Sequence, residues 1–487
     1  MSDLEMNEEL TEVKSYPGET VGTGSGHNEP RKAINAINWS FGMKLYHTAI
    51  PCFLAFLITF SSSVTVPATS ALMAEFNVSQ TAAILSGTLY MLGLAFGPMI
   101  MAPLSEFIGR RWLYLVTSSN IIAFAGGAGA AQNFATHLIC RFFCGFLGSA
   151  GIAIGAGTIL DVWGAGQAGS LARLLFICGP FLGPSLGPLV GAYVMHEYHG
   201  DWRWTQWVIA LIGAPTWIMI VFMRETSDTR IEHGKKYSGR LGTVKLALST
   251  LYAAVSRSMT ILTTEMIALS ITLYTGYAYA VIFSYFASAS YVYELDYNFT
   301  ERETGLALIS VIIGYILAVV MYMAIESTLY ARSVRNAPNG RPAPEHRLYA
   351  GMVGSIFVPI GLFWYAWAAH PGGHWAAAVA SGIPFGLGAF VLFVGLFPLK
   401  LSSIIYLIEA YGAAAAASAI AANGSFRYLL GAVFPLFTIQ MYEKLGVHWA
   451  GSVFAFLSLA LLPIPWLLFK YGHRLRKNSR FITSVPV

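Results

Sequence analysis

Apolar runs of about twenty residues recur along most of this chain, separated by short polar stretches. Each run is long enough to cross the hydrocarbon core of a bilayer as a helix. The pattern predicts spans at residues 46–69, 80–101, 112–131, 136–160, 171–195 and 204–223. Six more follow at 263–288, 304–329, 348–369, 375–400, 411–437 and 447–470. Residues 1–38 are polar, with scattered carboxylates, and read as a disordered tail. Residues 224–262 interrupt the apolar rhythm with Arg224, Arg230, Lys235, Lys236 and Arg240, and read as a basic connector. The organisation predicted is a six-helix bundle over 39–223, the connector, a second bundle over 263–470 and a basic tail over 471–487.

Composition supports a membrane class and excludes others. The chain has 487 residues, 56% hydrophobic and 11% charged, with a mean hydropathy of +0.59. A soluble domain carries about 25% charged residues. The net charge of +5 comes from basic residues flanking apolar runs, which argues against nucleic acid as a partner. Cys52, Cys140, Cys144 and Cys178 all lie in apolar runs and read as small buried side chains rather than a disulfide or metal site. With no cleavable signal at the polar start, the first span is expected to direct insertion.

Charge asymmetry then orients the spans. With both termini cytoplasmic, the inner segments collect Arg31, Lys32, Arg110, Arg111, the connector, Arg332, Arg335, Arg341, Arg347 and the C-terminal cluster. The outer loops hold Arg203, Arg302 and Lys444. This is the positive-inside distribution. The fold class predicted is an all-α polytopic membrane protein, twelve transmembrane helices in two six-helix bundles facing a central cavity.

The densest chemistry lies in GPMIMAPLSEFIGRRW, residues 97–112. Glu106 stands one helical turn before Arg110, and Gly109 permits a tight reversal between two helices. This loop and the twelve-span layout resemble the major facilitator superfamily. The form PLSExxGRR is similar to that of fungal drug:proton antiporters with twelve spans, although Ala102 and Phe107 replace the usual Gly and Arg. The resemblance implies a conformational gate of Glu106, Gly109, Arg110 and Arg111 with Asp161, at the inner end of the fourth span. GPSLGPLVGA, residues 183–192, resembles the antiporter motif, with Gly183, Gly187, Pro188 and Gly191 in place and Ala192 for the last Gly. Small residues four apart also favour close helix packing. Arg141 with Gly145 resembles the RxxxG motif linked to proton coupling. Further matches run from about residue 39 to the C-terminus. The usual PET after the sixth span is Arg224-Glu225-Thr226 here.

Arg141 is the only Lys or Arg well inside the first six spans, and a charge at that depth is costly enough to suggest function. Arg427, in the eleventh span, either faces the substrate cavity or ties helices together. Tyr274 and Tyr277 belong to an aromatic cluster in the seventh span, which lines the cavity in the resembled family. Asn77 and Asn298 head two outward sequons close to the membrane. No catalytic residue or metal ligand is identified.

The function expected is proton-coupled efflux of drugs, fungicides, toxins or a secondary metabolite across the plasma membrane. The bilayer, protons and a small molecule are the partners, the transporter being monomeric, with no cofactor beyond the proton gradient. No nucleotide-binding loop is evident. A polyamine or organic-cation exporter of the same fold is the alternative. The membrane-embedded parts of the first six spans hold no carboxylate while Arg141 is positive, so neutral or weakly acidic substrates are expected over polyamines. A polytopic membrane enzyme or a non-transporting sensor is the rival of another class. An enzyme needs convergent catalytic groups within the spans, and the 11 histidines fall mostly at span edges and tails.

Overall fold

The computed structural model describes residues 36–164, 167–226, 256, 259–337, 342–396 and 413–477. The expected tail over 1–35, most of the 224–262 connector and residues 478–487 lie outside that set, as does the side chain of Glu106. No strand occurs among the described residues.

Among the described residues the helices group into twelve spans, and 10 helices are long and apolar enough to cross a membrane. The first half comprises α1 (Phe41–Ser63), α2 (Gln80–Ile108), α3 (Arg110–Gly129), α4 (Phe134–Trp163, with a hitch at Ser149), α5 (Gln167–Glu197) and α6 (Arg203–Val221). The second half comprises α7 (Met266–Tyr297), α8 (Glu301–Asn336), α9 (Tyr349–Ala368), α10 (375–396), α11 (413–445) and α12 (447–477). Gly446, at φ 74°, turns α11 into α12. That left-handed backbone is one a glycine adopts freely.

Several limits differ from those expected. The helix at the seventh span runs nine residues past 288, because Tyr291, Val292 and Tyr293 keep packing into the second-half core. It stops at Asn298, the next residue able to take the left-handed conformation (φ 52°). Residues 471–477, expected in the tail, continue α12. Residues 36–38, also assigned to a tail, form a short 3-10 turn.

Helix packing repeats with a shift of six. In the first half α1 lies along α5, α2 along α4 and α3 along α6; in the second α7 lies along α11, α8 along α10 and α9 along α12. The contacts between halves, α2 on α11 and α5 on α8, map onto each other under the same shift. Helix boundaries repeat as well. Ahead of α2, Asn77 is left-handed and the Ser79 hydroxyl accepts from the Ala82 amide. Ahead of α8, Asn298 is left-handed and Thr300 forms a capping box with Glu303. Both sequons therefore carry the turn and cap residues that start a helix.

Many large apolar side chains point outward from the middle of helices, among them Leu211, Ile316 and Val320, each more than 60% exposed. In water such a belt is a severe liability. In lipid it is the required surface, since the chains around it are equally apolar.

Candidate functional site

The turn between α2 and α3 is built around Gly109, whose φ of 92° lets two long helices meet without a loop. Arg110, the first residue of α3, reaches across to α4. Its Nε donates to Asp161 Oδ2 at 2.5 Å and its second Nη to Oδ1 at 3.4 Å. The first Nη donates to the Ile154 carbonyl. Gly157 makes room for this arm: a Cβ there would lie 2.6 Å from the guanidinium. Arg111 donates to the Val221 carbonyl at the end of α6.

A further carboxylate completes the cluster. Glu225 accepts from the backbone N–H of Arg110 at 2.9 Å and of Arg111 at 3.2 Å. It satisfies two otherwise unpaired donors at the start of α3, where an anion also opposes the helix dipole. This carboxylate belongs to the Arg224-Glu225-Thr226 segment that follows α6. Gly109, Arg110, Arg111, Asp161 and Glu225 thus bind α2, α3, α4 and α6 together on one face of the protein, here named the Gly109 face.

Arg141 is completely buried. Its Nε donates to the Ser86 carbonyl, one Nη to the Ser61 carbonyl at 2.8 Å, and the other to the Ser61 hydroxyl. Its guanidinium lies 4.4 Å from the centre of the Tyr90 ring. Gly145 permits this stacking, because a Cβ there would sit 2.1 Å from the Tyr90 carbonyl. Arg141 therefore joins α1, α2 and α4.

The Gly-Pro stretch of α5 packs against α1 backbone to backbone. A Cβ on Gly183 would meet Thr59 Oγ1 at 2.1 Å, one on Gly187 would meet Ser63 Oγ at 2.1 Å, and one on Gly191 the Val64 carbonyl at 2.3 Å. Pro188 lies inside the same continuous helix.

A cavity of about 170 Å³ opens on the face opposite Gly109, between α1, α2, α7 and α11. Thr65, Ser86, Met91, Phe283, Glu294 and Glu301 are among its lining residues. Toward the Gly109 face the two halves meet among the described residues. Thr88 donates to the Ala432 carbonyl across the halves, and Met91, Tyr279, Phe283 and Tyr428 pack in one apolar cluster. Arg427 sits beside the Tyr279, Phe393 and Tyr428 rings at 4.9–5.2 Å.

One expectation needs correction here. Tyr274 and Tyr277 turn into the second-half core, and the Tyr277 hydroxyl donates to the Phe454 carbonyl of α12. The cavity-facing side of α7 is instead the stripe Phe283, Ala287, Ser290, Tyr291 and Glu294. The cavity also holds carboxyl groups: the first-half spans supply none, but Glu294 and Glu301 line it from the second half. Asn77 and Asn298 are exposed at helix boundaries, away from the Gly109-face cluster. No group of three or more potential metal ligands occurs among the described residues.

Comparison with known proteins agrees with this architecture. Residues 52–435 match the Major Facilitator Superfamily. The multidrug transporter mdrA of Aspergillus fumigatus is 34% identical over 471 residues, 93% of this chain and 74% of its own. Polyamine transporter 4 of Saccharomyces cerevisiae is 32% identical over 488 residues, with 93% of this chain and 72% of its own covered. Among solved structures, the proton:xylose symporter XylE superposes with a TM-score of 0.64 at 12% identity, covering 89% of this chain and 96% of its own. The profile match over most of the sequence, the relatives above 30% identity and the twelve-span architecture lead to one conclusion: this chain belongs to the major facilitator superfamily and is a multi-pass membrane transporter, not an enzyme.

Proposed function

We propose that the chain exports small amphipathic compounds from the cytoplasm by exchange against protons. The observation that carries this reading is the asymmetry of closure. The cavity opens on one face while Arg110, Asp161 and Glu225 tie four helices together on the other. An alternating-access transporter occupies such a form between releasing its cargo and reloading. The Gly109 face carries Arg110 and Arg111 and is assigned to the cytoplasm by the positive-inside rule. The open cavity then faces outward, the direction an exporter needs for release. The names of relatives, a multidrug transporter among them, support efflux as the direction. The plasma membrane is the proposed location, the proton gradient the energy source and the monomer the working unit.

The test uses inside-out vesicles and rhodamine 6G. Acidifying the lumen drives accumulation of the dye, and a protonophore abolishes it. Accumulation that ignores the protonophore and requires ATP would sink the reading.

A second reading has its own observation. Glu294 and Glu301 line the cavity mouth, where they suit an amine. One relative is named a polyamine transporter. Proton-driven spermine uptake by the same vesicles, lost in Glu294→Gln, would favour this class over neutral amphipathic cargo.

A further inference from the structure

His137 is a fully buried titratable side chain that the gate and the antiporter motif leave unused. It lies on α4 one turn before Arg141, near the end of the helix that meets the open face. Its Nδ1 is 3.2 Å from the Ala128 carbonyl of α3, and its Nε2 is 2.8 Å from the Ser86 hydroxyl of α2. A carbonyl only accepts, so Nδ1 carries the hydrogen and Nε2 of the neutral ring accepts from Ser86. Ser86 also lines the cavity, and its carbonyl receives Arg141 Nε. One residue therefore touches the cavity, the imidazole and the buried guanidinium.

The surroundings are otherwise tightly partnered. On its own helix the imidazole faces Arg141. From the start of α6 the Trp202 ring meets it edge-on at 4.9 Å. Behind that ring, the Glu75 carboxylate is engaged by the Trp202 indole N–H and by Arg203. Ser86 of α2 and the Ala128 carbonyl of α3 complete the shell.

We propose that His137 binds the proton exchanged during transport, and that the Ser86 hydroxyl passes it from the cavity. This rests on the antiport reading above and assigns it a residue. In the transfer, Nε2 takes the hydrogen of the Ser86 hydroxyl while the Ser86 oxygen takes one from a hydronium ion in the cavity. The hydroxyl is restored, its hydrogen turned toward the cavity and its oxygen accepting from the new Nε2–H. No charge is left on Ser86, and the imidazolium stands one turn from Arg141. Two positive charges four residues apart repel. The guanidinium holds Ser61 of α1 and the Ser86 carbonyl of α2, so the repulsion acts on the contacts that hold α1, α2 and α4 together. A cargo molecule that bonds the Ser86 hydroxyl withdraws it from Nε2. Cargo and proton then compete through a single group, the linkage that exchange requires.

The experiment compares wild type, His137→Gln and Ser86→Ala in proteoliposomes. Rhodamine 6G uptake driven by a pH gradient is divided by rhodamine 6G exchange without one. In wild type the ratio exceeds one. In His137→Gln, whose amide keeps a donor and an acceptor but does not titrate, it falls to one. In addition, 15N-histidine NMR of the protein in nanodiscs, followed across a pH titration, is expected to lose one titrating imidazole in this variant. An undiminished ratio in His137→Gln, or an identical set of titrating imidazoles, overturns the proposal. Should His137→Gln give no folded protein, Ser86→Ala decides: its ratio falls if the hydroxyl carries the proton, and a retained ratio overturns the relay. A wild-type protein that transports with no response to the gradient removes the antiport reading, and this proposal with it.

Discussion

Replacing Asp161 by Asn tests whether the Gly109-face cluster sets a conformational equilibrium. The change removes one charge and keeps one acceptor oxygen. Arg110 retains the Ile154 carbonyl, and Glu225 still holds the Arg110 and Arg111 amides. A hydrogen bond to a charged partner contributes about 1.5–3 kcal/mol. Here the two side chains are 18% and 23% exposed, so water screens part of the attraction. A net loss of about 1.4 kcal/mol is a reasonable central value, and it shifts the ratio of the two forms about tenfold. A far-face-open population of about 90% then falls to about 50%. Ser290 lines the cavity and reports this population. In a background with Cys52, Cys140, Cys144 and Cys178 replaced, a Ser290→Cys protein is treated with a membrane-impermeant maleimide. Adding Asp161→Asn should roughly halve the modification rate at constant protein amount. An unchanged rate would refute the state-selective role, and loss of the folded protein would make the pair a plain staple.

Glu225→Gln removes the anion at the start of α3 and is expected to cost about 0.5–1 kcal/mol, read as a lower thermal midpoint in detergent. Gly187→Ala puts a methyl 2.1 Å from Ser63 Oγ and 2.9 Å from the Val64 amide; overpacking of this kind costs about 1–3 kcal/mol, and fluorescence-detected size exclusion after heating measures it. Arg141→Lys keeps the charge, but one ammonium cannot reproduce a fork that reaches both Ser61 and Ser86; transport per folded molecule should fall well below wild type. Glu75, outside the spans, has its carboxyl held below the ordinary range by its hydrogen bonds to Arg203. A depressed carboxylate stabilises the fold above its unfolded pKa and loses that contribution as pH falls through the folded one. The midpoint difference between wild type and Glu75→Gln should therefore be full at neutral pH and begin to shrink only as pH falls below the ordinary Glu range, about 4.3.

The twelve spans were readable because membrane insertion imposes one coarse rule, a long apolar run bounded by charge. Gly109 and Arg110 stood out in a short loop, and Asp161 was reached only through the resemblance of the motif to the major facilitator superfamily. Asp161 is 51 residues from Arg110, and the pair meets where α3 and α4 lie side by side. Glu225 was harder. It lies 115 residues from the amide it caps, and nothing local marks an acid after a helix as the cap of another.

The seventh helix is where sequence reasoning met its limit. A helix with one apolar face announces which side is buried. α7 is buried almost all round from Ile267 to Tyr293, against its own half on one side and the first half on another. Its aromatic residues therefore carry no polar contrast from which to read a direction. Tyr277 and Tyr279, two positions apart, end in different cores: the first bonds the α12 backbone, the second packs beside Tyr428 and Met91. Two residues are about 200° of helix, enough to separate a packing residue from one beneath the cavity. Only the contacts between helices distinguish them, as where Gly276 of α7 brings Phe426 and Leu430 of α11 close. Gly187 and Gly145 pack against Ser63 and Tyr90, directly beside the cavity-lining Ser62, Thr65 and Met91. Gly187→Ala or Gly145→Ala should accordingly weaken rhodamine 6G transport as well as stability, and transport unchanged per folded molecule would refute this coupling.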